Sequence, residues 1–250
     1  MSTLNILNIK THYLDEGMGQ ALVCLPGWGQ NTEMFLPSFN HFKHRFRVIV
    51  VDFPGFGESA TMNTAFAVDD YVDWLNALLV ELKVENPILM AHSFGARVAI
   101  KYANLYPVKK MILTGAAGVR PKRSISYYVR VYTFKTLKKG MKLLKMDSQK
   151  LSKIFGSSDY QALEGVMRES FVKIVNEDLS PYLKTVQASC LLVWGEKDDA
   201  TPLWMGQLME KNMRDAGLVV FKNAGHYAYY QESERFNRIV DAFIKEDQHG

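Results

Sequence analysis

Cysteine is scarce in this chain. Only Cys24 and Cys190 occur among 250 residues, each inside an apolar run. That excludes a disulfide framework and leaves two buried structural thiols as the expected reading. Long apolar runs are also missing, and none approaches the roughly 18 residues of a membrane span. The opening stretch Met1-Ser2-Thr3-Leu4-Asn5-Ile6 has no basic flank, no extended apolar core and no cleavage site. No secretory signal is therefore expected, and the expected location is cytoplasmic. Glycine-rich phosphate loops of the Walker or dinucleotide type are absent, so no nucleotide cofactor is implied. His41 and His44 are spaced like metal ligands on a helix but have no cysteine or carboxylate cluster beside them. A solvated helix face is the expected reading there, with no metal. Neither an internal repeat nor a low-complexity linker interrupts the chain. Its length admits one large domain or two small ones.

Acidic residues are nearly missing from one segment. Residues 120–150 carry ten basic groups against Asp147 alone, a net +9, whereas the rest of the chain has 20 basic and 25 acidic groups, a net −5. The default reading is a solvated surface. A second is attraction of an anionic substrate or an acidic carrier protein. A third is docking to an anionic membrane surface, since Tyr127, Tyr128, Val131 and Phe134 lie among the charges. Nucleic acid is not an expected partner, because the remaining surface is net acidic.

What is present is an alternation of apolar strands and amphipathic helices. Residues 4–15 suit one or two opening strands, and Ala21–Leu25, Arg47–Val51, Pro87–Ala91, Lys110–Thr114, Leu191–Trp194 and Leu218–Phe221 suit buried ones. Val68, Tyr71, Val72, Leu75, Leu78, Leu79 and Leu82 recur at helical spacing, and Phe94–Leu105 forms another helical stretch. This pattern implies a mostly parallel, doubly wound α/β sheet. The alternation fails from about Val119 to Thr185, where the sequence reads as helical throughout. Leu137, Met141 and Leu144 suggest one apolar face there, and Leu163, Val166, Met167, Phe171 and Val175 another.

Ala91-His92-Ser93-Phe94-Gly95 joins the fifth apolar strand to a helix. A strand, a sharp turn bearing serine, then a helix is the setting of a nucleophile elbow. Small residues are expected on both sides of the serine, because a neighbouring helix should cross close by. The elbow lifts the Ser93 hydroxyl above the sheet and aims the Phe94 N–H at a reacting carbonyl oxygen. His92 is expected to pack with its ring away from the serine's partner. A serine hydroxyl needs a base. The order serine, acid, histidine is met by Asp198, in Gly195-Glu196-Lys197-Asp198, and by His226, in Asn223-Ala224-Gly225-His226. Asp199 competes with Asp198, and the Gly-x-x-Asp spacing favours Asp198. Asp52 reads as a turn residue.

These motifs resemble those of the α/β-hydrolases over nearly the full chain. Cys24-Leu25-Pro26-Gly27-Trp28-Gly29 is similar to that family's oxyanion loop, and Asp52-Phe53-Pro54-Gly55-Phe56-Gly57-Glu58-Ser59 to its D-x-P-G-x-G-x-S turn. The acid loop with Thr201-Pro202, and the histidine loop followed by Phe236–Phe243, complete the order. Pro26 stands where many relatives have histidine and Ala91 where most have glycine, which bears on the shape of the pocket floor. The resemblance implies an α/β-hydrolase fold of residues 1–118 and 185–250, with an inserted helical cap of residues 119–184 after the sixth strand. It implies Ser93, Asp198 and His226 as catalytic residues and the backbone N–H groups of Trp28 and Phe94 as the oxyanion hole, with no cofactor and no metal. The expected activity is hydrolysis of a small carboxylic ester through an acyl-enzyme. Carbon–carbon bond hydrolysis or carrier-protein methyl ester cleavage on an anionic substrate stands as an alternative. A ligand receptor or interaction protein that retains the triad is the alternative of another class.

Overall fold

A computed structural model of the chain describes residues 2–120 and 163–245. The opening alternation folds as an antiparallel pair, β1 (Ser2–Ile6) and β2 (Ile9–Glu16). They are joined through Leu7 and Asn8, both at positive φ (49° and 65°). Two such residues in succession make the turn whose twist matches that of flanking strands. β2 pairs antiparallel with β4 (Arg47–Val51). Every later pairing is parallel, through β3 (Ala21–Leu25), β5 (Ile88–His92), β6 (Lys110–Thr114), β7 (Ser189–Gly195) and β8 (Ala216–Phe221). The eight strands lie in the order β1-β2-β4-β3-β5-β6-β7-β8. From β3 the chain steps one way to β4 and then the other way to β5. The crevice outside the carboxyl ends of β3 and β5 is thus the switch point at which such sheets bind ligands.

Strands covered on both faces read as continuous apolar runs, and β3 and β5 are buried along their whole length. Alternate side chains serve opposite layers. Leu22 and Cys24 join one core with Phe35, Phe42, Tyr229 and Phe236, while Val23 and Leu25 join the other with Trp74, Leu75, Val98 and Met209. The first layer is closed by a 3₁₀ turn at Thr32–Phe35 and by α1 (Leu36–Phe42), with α7 (Ala228–Gln231) and α8 (Ser233–Lys245) from the far end of the chain. The second is closed by α2 (Val68–Glu81), α3 (Phe94–Leu105) and α6 (Trp204–Asn212). The apolar stripe expected from Val68 to Leu79 is the buried face of α2. Asp70 caps its start by accepting the Ala67 N–H at 2.6 Å.

Between β6 and β7 lie α4 (Gly165–Asn176) and α5 (Ser180–Leu183). Half of α4 is exposed, with Ser170 and Ile174 its buried positions. It is tied to the segment before α2, where the Ser170 hydroxyl accepts the Phe66 N–H at 2.8 Å and Lys173 donates to the Ala65 carbonyl at 2.5 Å. Most of the expected cap, the Leu137–Leu144 face and all of the basic segment except Arg120 lie outside the described residues. Among the described residues, no helix is long and apolar enough to cross a membrane.

Candidate active site

Ser93 follows directly on β5 and precedes α3. Its backbone stands at φ 49°, ψ −106°, a conformation that a residue with a Cβ adopts only when its surroundings enforce it. The enforcement is visible. The Ser93 N–H donates to the Thr114 carbonyl at 3.1 Å, and its own carbonyl accepts from Ala96 at 3.2 Å and Ala117 at 3.1 Å. Gly95 is needed because a Cβ there would stand 2.1 Å from the Leu25 carbonyl oxygen and 2.6 Å from that of Pro26. The close neighbour is therefore the end of β3 and its following loop, not the crossing helix expected from the sequence. One contact thus fixes the serine turn against the loop that bears Trp28.

Asp198 lies in the loop after β7 and His226 in the loop after β8. Gly195 brings the two loops together, since a Cβ there would stand 2.1 Å from the Gly225 carbonyl oxygen. The His226 Nδ1 is 2.8 Å from Asp198 Oδ2. The other carboxylate oxygen, Oδ1, accepts the N–H groups of Ala200 at 3.0 Å and Thr201 at 2.8 Å. Burial favours the neutral acid, but the hydrogen bonds from His226 and Thr201 outweigh it and hold the Asp198 carboxyl below the usual range. From the sequence, Thr201 is only part of the acid loop. Its hydroxyl lies 2.8 Å from Asp198 Oδ2, 3.0 Å from the Gly115 carbonyl and 3.3 Å from His226 Nδ1. It buttresses the aspartate–histidine pair from the side of β6. Asp198 is buried and Asp199 is exposed.

Ser93 and His226 open on one cavity of about 720 Å³. Phe94, whose backbone N–H was expected to hold an oxyanion, is the first residue of α3, and an amide at that position has no acceptor within its helix. The other expected donor, Trp28, lies on the loop after β3. That loop is held by Gln30, whose side-chain oxygen accepts the Gly27 N–H at 2.8 Å. The Trp28 ring packs edge-on to Phe56 and Phe94, with centroids 4.8 and 5.3 Å away, and at a tilt to Phe171 of α4 at 5.4 Å. It lines the cavity and braces its walls together. Two cations also line the cavity: Arg120, the first residue of the basic segment, and its neighbour Arg97 of α3, which sequence reasoning missed. The four-residue step from Ser93 to Arg97, about one helical turn, was the available signal for Arg97.

His92 departs from expectation. Its ring does not point away from the serine's partner but packs on His226, with centroids 4.6 Å apart. The reason is the tight turn at Ser93, which leaves the last residue of β5 facing the histidine loop. His92 is fully buried, and its Nδ1 donates to the same Thr114 carbonyl that holds the Ser93 N–H. Burial, then the neighbouring His226, push its pKa down to about 3, so it is a neutral ring. Asp52 is the turn residue expected. Its buried carboxylate is 2.7 Å from His12 Nδ1 and accepts the N–H groups of Thr32 at 2.7 Å and Glu58 at 2.9 Å, away from the cavity. His41 pairs with Asp241 at 2.8 Å on the surface. Among the described residues, no three histidine, cysteine or acidic side chains gather as a metal site.

The sequence model of the Alpha/beta hydrolase family matches residues 22–239. The chain is 27% identical over 252 residues to the AB hydrolase superfamily protein YisY of Bacillus subtilis (strain 168), covering 92% of this chain and 93% of that protein. It is 29% identical over 263 residues to a 2-hydroxy-6-oxononadienedioate/2-hydroxy-6-oxononatrienedioate hydrolase of Burkholderia vietnamiensis (strain G4 / LMG 22486), covering 95% and 91%. Among solved structures, an esterase from Exiguobacterium antarcticum superposes with a TM-score of 0.76 at 25% identity, over 98% of this chain and 99% of that one.

Proposed function

The chain belongs to the α/β hydrolase family, and on that premise we propose that it cleaves carboxylic esters of small molecules by acyl transfer from Ser93 to water. The observation that carries this reading is the strained Ser93 turn opening on the same cavity as a histidine already paired with a buried aspartate. With Nδ1 committed to Asp198, the free Nε2 of His226 takes the Ser93 proton as Oγ attacks the ester carbonyl. The oxyanion is held by the N–H groups of Phe94 and Trp28. His226 passes its proton to the leaving alcohol. It then takes one from water, which attacks the acyl-enzyme and releases the acid with Ser93 restored. Asp198 holds the imidazole in orientation and stabilises its charged form. The cavity volume suits a small-molecule substrate.

A second reading has a specific observation behind it. The relative from Burkholderia vietnamiensis is named as a hydrolase of a dienedioate or trienedioate, so the same triad could serve a carbon–carbon bond. The test begins with a serine-directed fluorophosphonate. Wild-type protein should be labelled at Ser93, and Ser93→Ala should lose both labelling and turnover of 4-nitrophenyl hexanoate. Unchanged hydrolysis in Ser93→Ala would end the assignment. Labelling without turnover of any ester would favour the carbon–carbon reading or a receptor role.

A further inference from the structure

Two arginines, Arg97 and Arg120, line a cavity whose other walls are largely apolar. Arg97 lies on α3 four residues beyond Ser93, about 6 Å along the helix axis at 1.5 Å per residue. It is only 7% exposed, and its Nη1 donates to the Glu177 carbonyl at 3.0 Å. Arg120 donates from Nη2 to the Asn176 side-chain oxygen at 2.8 Å. Both acceptors are neutral. The Arg120 Nε is buried without an acceptor among the described residues. Two carboxylates lie nearby, Glu177 and Asp178. Partial desolvation raises the Asp178 carboxyl, but Ser180, and also the Arg120 backbone N–H and charge, outweigh it and hold the group below the usual carboxylate range. Glu177 binds Lys101 at 2.6 Å, and Asp178 accepts the N–H and hydroxyl of Ser180 at 3.0 and 2.7 Å. Asp199, also on the cavity wall, is exposed and belongs to the acid loop.

Burying a charge is costly unless it is paired, and a second like charge beside it adds to the cost. Burial pushes the Arg97 pKa down to about 10. The nearby Glu177 and Asp178 oppose that shift, and Arg120 adds to it. Glu177 and Asp178 offset part of that charge, and an anion in the cavity between the two cations would offset the rest. The planar fork of arginine matches a carboxylate, which it grips with two parallel hydrogen bonds.

We propose that Arg97 and Arg120 form a carboxylate-binding subsite inside the cavity, so that the substrate cleaved at Ser93 carries an ionised carboxylate several bonds from its scissile carbonyl. This rests on the ester reading above and narrows its substrate class to half-esters of dicarboxylic acids.

The test compares 4-nitrophenyl hydrogen adipate with 4-nitrophenyl hexanoate, two esters of equal acyl length that differ by a terminal carboxylate. The quantity read is the ratio of their kcat/KM values. It does not depend on the fraction of active protein, so partial misfolding of a variant cannot imitate the result. Arg97→Gln and Arg120→Gln should each lower the ratio at least about tenfold, as expected when a charged hydrogen-bond partner is removed. Arg97→Lys, which keeps the charge but not the fork, should fall between. It carries the test with Arg120→Gln if Arg97→Gln does not fold. A ratio unchanged in all three variants overturns the subsite. Calorimetric titration of adipate into Ser93→Ala separates this proposal from the ester reading. Adipate binding to Ser93→Ala that is lost on adding Arg120→Gln, while the wild-type protein turns over neither ester, would sustain the subsite and reject the ester. Turnover of the hexanoate ester without adipate binding would do the reverse. Inorganic phosphate binding as tightly as adipate would overturn the choice of a carboxylate.

Discussion

Asp198 and Asp199 carry the same carboxyl group in opposite surroundings. Asp198 is buried, receives two backbone N–H groups and touches His226, while Asp199 is exposed. Asp198→Asn should therefore fold but lose on the order of 10³–10⁴ in kcat, the scale at which a mis-set imidazole is felt. Asp199→Asn should lose less than about tenfold. The reverse ranking would place the acid at Asp199. His92 offers a second test, on stability. Its pKa is about 3 in the folded protein and about 6.5 when unfolded. Below pH 6.5 the unfolded chain takes up a proton that the folded one refuses. Its contribution is thus complete above pH 6.5 and shrinks as the pH falls towards 3, by about 1.4 kcal/mol per unit. Denaturant unfolding at pH 7 and pH 5 should show the wild type losing about 2 kcal/mol more than His92→Gln. An equal loss in both proteins would mean that His92 is not held neutral. The contrast between these residues also shows what the sequence discloses. Ser93, Asp198 and His226 each follow a recognisable strand, so their places could be read in order. The direction of the His92 ring and the place of Arg97 on the cavity wall depend on how a strained turn and a helix pack, which local pattern does not encode.

The elements were legible where they are long and apolar, and their contacts were not. β3, β4 and β6 keep the expected limits, while β7 and β8 each begin two residues earlier than their apolar runs. The extra residues pair along the sheet, where Cys190 opposes Ala216. Missing from the sequence was the reason for the two glycines that join elements at the site. Gly95 admits the end of β3, and Gly195 admits the histidine loop. In both cases the obstacle is backbone oxygen, which cannot swing aside as a side chain can. Gly195→Ala should therefore part the loops that carry Asp198 and His226. The expected outcome is a fall in kcat of at least about tenfold, because small misplacements of a catalytic group are costly. Overpacking should also cost about 1–3 kcal/mol of stability. A variant with unchanged kcat and thermal midpoint would show that the loops yield freely.

At the scale of the molecule, one sheet separates two cores, and the two cysteines mark them. Cys24 lies in the layer closed by α1 and α8, and Cys190 in the layer closed by α2, α3 and α6. Burial pushes both thiols up, so neither presents the thiolate that reacts. Native protein should therefore be inert to Ellman's reagent at pH 8, and urea-unfolded protein should react at both cysteines. The midpoints are the informative quantity. The strands that carry Cys24 and Cys190 belong to one hydrogen-bonded sheet with side chains alternating into both layers. Neither layer can lose its helices without exposing strand residues on which the other depends. Labelling followed by peptide mass spectrometry across a urea series should accordingly give one midpoint for both cysteines, coincident with loss of helical circular dichroism. If Cys190 is labelled at clearly lower urea than Cys24, the layer beneath α2, α3 and α6 opens first. The two layers would then not be coupled through the sheet.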